Sequence, residues 1–394
     1  MKLLIAIPAL NEEQSIRSTV QRCLDAREAI LANSPVTAIE VTVVSDGSTD
    51  ETVQRAGEFG SLINLIEFTK NQGYGAAIME AWSHSEAELL GFLDADGTCD
   101  PHFFATLCRT IVDKEADVAL GCRLNASSQM PLVRRIGNTL FAWMLSLFAS
   151  SMVRDTASGM RVVRRSALRH LYPLPSGLHF TPAMSARAML SDATRIVEID
   201  MPYAEREGES KLHVIRDGLR FLRVILENAL LYKPGKILFG AAAVSLMAGA
   251  ALMLGPLSTY LETRTVAEWM IYRFLVSSLA AQVALLLMGA ALLNTRMARI
   301  AMHEEVYAER GRLARYLRSG WCWSVIASLL FAGGVLVWPS AVDLWRTGHT
   351  DVHWSRFVVA ISSFGLASTI FVIRGIDRVL DLVEARVRYL SQRS

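Results

Sequence analysis

Cysteine is scarce in this sequence and carries no pattern. The five cysteines, Cys23, Cys99, Cys108, Cys122 and Cys322, are odd in number and show no CxxC spacing. That excludes a disulfide framework or a thiolate zinc site and leaves reduced, buried thiols. A charge excess of one sign is missing too: 40 Lys and Arg against 38 Asp and Glu give a net charge of +2, which argues against nucleic acid as the main partner. The full GxGxxG spacing of a dinucleotide site is absent, so NAD is not expected. There is no internal repeat and no low-complexity tract. The apolar run in "MKLLIAIPALNEE" is short and is cut off by Glu12 and Glu13. It reads as a buried first strand, so the N-terminal domain is expected to start at residue 1 and not to be exported.

What is present is unevenly distributed. The 394 residues are 52% hydrophobic, yet residues 1–230 read as an ordinary globular mixture and the remainder holds long uncharged runs. Strand-like and helix-like segments alternate from residue 1 to 125. "LLIAIPA", "IEVTVVS", "INLIEF" and "LLGFL" are short and apolar or β-branched, and helical spacing separates them, as with Ile16, Val20 and Leu24. This order predicts an α/β fold with a doubly wound, mostly parallel sheet. Ligands bind such sheets outside the carboxyl ends of the strands, and four polar clusters fall there: Asn11-Glu12, Ser45-Asp46-Gly47-Ser48, Asn71-Gln72-Gly73 and Asp94-x-Asp96. Each has a plainer reading, as a turn with a helix cap, as a strand-to-helix turn, or as solvated loop acids. The pattern is specific as a set: four clusters in one half of the chain, with the acid pair last.

"IPALNEE", "VVSDGSTDET", "KNQGYGAA" and "DADGTCDP", in this order and spacing, resemble the inverting family-2 glycosyltransferases of GT-A fold. "RDTASGMRVVRR" (154–165) and "EREGESKL" (205–212) resemble segments of the polyprenyl-phosphate sugar transferases, the group of dolichol-phosphate mannosyltransferase. The likeness covers residues 1–235. It implies a cytoplasmic GT-A domain over 1–211 that uses a nucleotide-sugar donor of the GDP-mannose or UDP-glucose type. Pro8, Leu10, Glu12, Asp46, Asn71 and Gly73 would line the donor site, with Asp94 on the donor or the metal and Asp96 ligating Mg²⁺ or Mn²⁺. Hard carboxylate oxygens suit these ions, which stabilise the leaving diphosphate as Lewis acids. Many relatives carry Gln where this chain has Thr98, which leaves a third side-chain ligand open.

A lipid phosphate is already an anion and needs no general base, only cations to hold it in line. The sequence offers Arg123 after the strand-like "VALGC", Arg134, and Arg161, Arg206 and Lys211 in the matching segments. Any one of these arginines also reads as a surface charge. The resemblance implies that Arg123, Arg161, Arg206 and Lys211 join Asp94 and Asp96 in catalysis, and that Arg123, Arg134, Arg206, Ser210 and Lys211 hold the acceptor phosphate. The Gln-x-x-Arg-Trp signature of processive polysaccharide synthases is absent, which disfavours a polymer product. Two rivals remain: a transferase of this fold with another lipid or hydroxyl acceptor, and a non-catalytic scaffold or lipid transporter.

Two segments point to the bilayer as a further partner. "VRRIGNTLFAWMLSLFASSMV" (133–153) resembles the family's interfacial helix, with a buried core helix as the alternative. Residues 212–236 place Arg216, Arg220 and Arg223 on one face of an amphipathic juxtamembrane helix, with a packed helix bearing a solvated face as the alternative. Uncharged stretches at 237–257, 274–294, 321–342 and 357–373 then predict a helical transmembrane domain of four spans over 237–394, with tryptophans at both ends of the third. Oligomerisation is left open. Arginines crowd the 295–320 loop and the tail after 373, so loop charge places both of these and the N-terminal domain in the cytoplasm. A reporter fused after Ser394 and one inserted near Gly348 are therefore expected to report opposite sides; the same side for both would show that the fourth segment does not cross.

Overall fold

Strand β1 (Lys2–Ala9) is buried at every residue after Lys2, as a central parallel strand covered on both faces requires. The computed structural model describes residues 1–125, 132–149, 151–203, 214–301, 315–316 and 318–391. The chain divides into two units, Met1–Tyr232 and Lys233–Ser394.

In the first unit, β1 is followed by β2 (Ala38–Ser45), β3 (Asn64–Glu67), β4 (Leu89–Phe92), β5 (Val118–Cys122), β6 (Arg161–Arg164) and β7 (Ile196–Asp200). They form one seven-stranded sheet in the order β3-β2-β1-β4-β6-β5-β7. β4 and β5 are wholly buried, whereas β3, at the edge, is mostly exposed. Helices α1 (Ile16–Asp25), α2 (Arg27–Asn33), α3 (Thr52–Gly57), α4 (Tyr74–Ser83) and α5 (Phe104–Asp113) alternate with the first five strands, which is the predicted doubly wound pattern. α6 (Leu132–Ser146), α7 (Leu168–Leu171), α8 (Phe180–Leu190) and α9 (Val214–Tyr232) complete the unit.

Register decides which residues meet. β1, β2 and β3 run parallel with Ala9 beside Ser45 and Ser45 beside Glu67, and β4 joins β1 with Phe92 beside Ala6. The chains leaving all four strands therefore emerge at one edge. β6 runs antiparallel between β4 and β5, with Arg161 beside both Phe92 and Leu120. Its first residue thus lies where β4 ends, and the segment before it is delivered to the same edge.

α9 packs within this unit through its inner face. Phe221 meets Phe141 of α6 edge-to-face, and Asn228 accepts a hydrogen bond from Arg187 of α8 at 2.9 Å.

The second unit contains α10 (Pro234–Thr263), α11 (Ile271–Ala301), α12 (Trp321–Thr347) and α13 (Trp354–Ser391). Each contains a segment long and apolar enough to cross a membrane, and each is longer than the uncharged stretch that marks it in the sequence. In α11 and α13 the excess at the arginine-rich end is charged. There Arg296 contacts Asp377, Asp381 and Glu384, and Arg318 contacts Asp377 and Asp381. Within the apolar stretches the helices meet at small residues, as lipid-embedded helices do. Ser277 donates to the Gly249 carbonyl at 3.0 Å, and a Cβ on Gly289 would strike Ile373. Phe331, Trp338 and Ile361 face outward.

Candidate active site

The loops at the carboxyl edge are stitched together by backbone groups. Asn11, in a left-handed conformation, accepts the Thr49 N–H at 2.8 Å, and its own N–H donates to the Ser48 hydroxyl at 3.1 Å. Asp46 is buried, and its carboxylate accepts the N–H groups of Gln72 (2.6 Å) and Gly73 (2.9 Å). Burial pushes this carboxyl above the usual range, and the two amides act in the opposite direction. Asp46, expected to line the donor site, clamps the turn that opens α4. Gly73 has φ +111° with the Ser176 carbonyl against it, so no side chain fits there. Of the other expected donor residues, Pro8 is buried in β1, Leu10 and Glu12 are half-buried beside it, and Asn71 is exposed.

The acid turn is held from below. Thr19 and Arg22, both on α1, donate to the carbonyls of Ala95, Gly97 and Cys99. Asp96 is buried, and one of its oxygens accepts both the N–H (3.2 Å) and the hydroxyl (2.7 Å) of Thr98. Asp94 accepts the Tyr74 hydroxyl at 2.7 Å. Burial and the Asp94 charge push the Tyr74 phenol well above its usual range, so it remains a donor. The other face of Asp94 lies on Gly159, where a Cβ would sit 1.9 Å from Oδ2. Asp94 and Asp96 offer hard carboxylate oxygens, the chemistry that suits Mg²⁺ or Mn²⁺. No cluster of three His, Cys, Asp or Glu that could hold a metal exists among the described residues.

The cationic side is built on Asp155, which is fully buried. Its Oδ2 accepts the Arg123 backbone N–H (2.9 Å) and Nε (2.8 Å), while Oδ1 accepts Arg123 Nη2 (2.9 Å) and Asn138 Nδ2 (2.5 Å). The carboxyl is depressed below its ordinary range: burial acts to raise it, and Arg123 outweighs burial. Arg123 also lies over the Tyr203 ring at 5.4 Å. Burial raises the Tyr203 phenol, and the charges of Arg123, Asp96 and Asp94 all act on it, so the guanidinium and the acid pair share one neighbourhood.

Arg161 corrects the expectation of a phosphate-holding cation. It is fully buried and donates to the carbonyls of Thr156 (2.8 Å) and Ser158 (3.0 Å) and to the Ser185 hydroxyl (2.8 Å). Burial pulls its pKa down to about 10. Its observed work is to hold the 156–158 segment, and with it Gly159, beneath Asp94. The side chain of Arg134 in α6 is not described, and Arg206, Ser210 and Lys211 lie outside the described residues.

Tyr74, Asn138, Asp155, Gly159 and Tyr203 escaped the sequence reading. Asp155 and Gly159 lie inside the quoted "RDTASGMR", but nothing local marks a carboxylate whose partner is 32 residues away.

Residues 4–172 match the model of the glycosyl transferase family 2. The dolichyl-phosphate hexose transferase of Haloferax volcanii is 30% identical over 236 residues, covering 58% of this chain and 94% of that protein. The chain belongs to glycosyl transferase family 2. With that membership and the mixed, mainly parallel sheet, the first unit is a GT-A domain, followed by four candidate membrane helices. The low-salt glycan biosynthesis hexosyltransferase of the same organism is 33% identical over 253 residues, covering 62% of this chain and only 58% of that relative's length. Glucosyl-3-phosphoglycerate synthase from Mycobacterium tuberculosis, crystallised with Mn²⁺, uridine diphosphate and phosphoglyceric acid, is similar over 58% of this chain and 78% of its own. The identity is 18% and the TM-score 0.44.

Gly159→Ala is expected to displace Asp94 and weaken binding of a nucleoside diphosphate with Mn²⁺ by about tenfold or more, in line with the cost of overpacking. Gly57→Ala, whose Cβ would make an ordinary contact 3.9 Å from Leu65, serves as the control. Titration calorimetry on both variants checks this; equal affinities would dissociate Gly159 from the site.

Proposed function

We propose that this chain transfers a single hexose from a nucleotide sugar to polyprenyl phosphate at the cytoplasmic membrane face, inverting the anomeric centre. A phosphate oxygen of the lipid forms the new bond to the anomeric carbon as the bond to the nucleoside diphosphate breaks. The observation that carries this reading is the Arg123–Asp155 pair. The carboxylate beside the guanidinium is ion-paired and depressed, which makes it a poor base for a hydroxyl acceptor. Arg123 Nη1 keeps two N–H donors that no described group accepts, and an anionic acceptor can use them. The dolichyl-phosphate hexose transferase among the relatives supports a lipid-phosphate acceptor.

On the donor side, Asp94 and Asp96 would hold Mg²⁺ or Mn²⁺, which supplies charge stabilisation to the departing diphosphate. The donor has the GDP-mannose or UDP-glucose chemistry. Tyr74 orients Asp94, Thr98 orients Asp96, and Asp46 fixes the turn carrying Asn71 and Gly73. Arg134, Arg206, Ser210 and Lys211 are assigned to the acceptor phosphate with Arg123. α6 and α9 lie in the headgroup layer: Ile136, Leu140 and Trp143 of α6 and Leu219, Leu226 and Leu230 of α9 are exposed apolar side chains, and only Lys233 separates α9 from the first candidate span.

The test uses purified full-length protein, labelled nucleotide sugars and a short polyprenyl phosphate. One sugar is expected to give a single-hexose lipid phosphate. Asp96→Ala is expected to lose about a hundredfold or more in kcat, since several kcal/mol of charge stabilisation goes with the metal ligand. Transfer at the normal rate by Asp96→Ala in limiting Mg²⁺ or Mn²⁺ would refute the metal role; no transfer from any sugar would refute the activity.

A further inference from the structure

Helix α6 has two unlike faces. Ile136, Leu140 and Trp143 point outward with exposures of 60%, 51% and 55%, at the i, i+4, i+7 spacing of one helical stripe. Asn138, Ala142 and Leu145 point inward, each under a tenth exposed. Asn138 is the polar member of that inward trio, and both ends of its amide are used. Nδ2 donates to Asp155 Oδ1, and Oδ1 accepts the Thr156 hydroxyl at 3.0 Å. The two bonds fix the amide orientation and fasten α6 to consecutive residues of the segment leading into β6.

Asp155 in turn holds Arg123 by its backbone N–H, Nε and Nη2. These contacts immobilise one edge of the guanidinium and set where Nη1 points. A shift of α6 by a fraction of an ångström must therefore stretch the Asn138 bonds or carry Asp155 and Arg123 with it, because buried polar groups are costly to leave unmatched.

We infer that Asn138 is a positioning residue through which the seating of the α6 apolar stripe in a lipid surface sets the placement of Arg123. The lipid occupant follows from the apolar stripe and from the packing of α6 on α9, one residue ahead of the first candidate span. The inference rests on the proposed transfer only for the meaning of its acceptor kinetics.

A double-mutant cycle on the full-length protein in nanodiscs of anionic lipid tests it, using Trp143→Ala on the outward face and Asn138→Ala on the inward face. Two quantities are read: kcat/KM for polyprenyl phosphate, and amide hydrogen exchange over residues 154–160. Either single substitution is expected to raise the acceptor KM and speed that exchange, with the KM for the nucleotide sugar little changed. Trp143→Ala should have an effect smaller by about threefold or more in the Asn138→Ala background, the size of coupling seen between residues in one network. Asn138→Asp sets a second carboxylate against Asp155 and should be worse than Asn138→Ala. Independent, multiplying effects of the two substitutions on exchange would overturn the inference. So would an Asn138→Ala variant with unaltered exchange and acceptor KM, or one in which acceptor and donor parameters fall together, which marks general loosening of the fold. Should no polyprenyl phosphate be turned over even by the wild type, the proposed function fails, while the exchange cycle still decides the role of Asn138.

Discussion

One buried carboxylate, Asp155, is the joint on which the site depends. Three segments reach it from different directions: the end of β5 with Arg123, the inward face of α6 with Asn138, and the approach to β6 that carries Asp155 itself. The cost of burying this charge is offset only while its donors stay in place. Removing one partner of such a pair typically costs about 3–5 kcal/mol. The same approach segment passes Gly159 beneath Asp94, so the geometry of the cationic side and that of the acid pair are not independent.

Arg161 shows a second solution to the same problem. It has no carboxylate in direct contact and is satisfied by two carbonyls and a hydroxyl. Desolvation lowers its pKa to about 10, yet at neutral pH it remains a cation. Its charge therefore adds to the positive field near Asp94 and Asp155 while its hydrogen bonds hold the loop. Under the proposed function, a fixed charge behind the site and a partly presented one in Arg123 would serve two phosphate-bearing substrates, because preorganised charges need no rearrangement when negative charge develops.

The sequence made the first four strands and the acid pair legible, because apolar runs at strand length and polar clusters at their ends are local signals. The four candidate spans were legible for the same reason, although the charged extensions of α11 and α13 were not. Their Arg296–Asp377 and Arg296–Glu384 contacts join residues more than 80 positions apart. The antiparallel entry of β6 was hidden too, since "RVVR" is four residues long and carries no signal of direction. With β6 unplaced, Asp155, Gly159 and Asn138 could not be assigned to the site. Arg161 looked like a ligand-facing cation when its surroundings make it a buried brace. Arginine in a strand-end motif reads the same from sequence whether it faces a phosphate or a set of carbonyls.

The central claim is that the acceptor arrives with its own negative charge and that cations, not a base, handle it. The most direct measurement compares a polyprenyl phosphate with the matching polyprenyl alcohol as acceptors for the full-length protein in a bilayer, across a pH series. The account predicts transfer to the phosphate, turnover of the alcohol lower by at least about a hundredfold, as a missing general base implies, and a profile with no limb belonging to a catalytic carboxylate base. Comparable use of the alcohol, or an acidic limb abolished by replacing a single carboxylate, would contradict it.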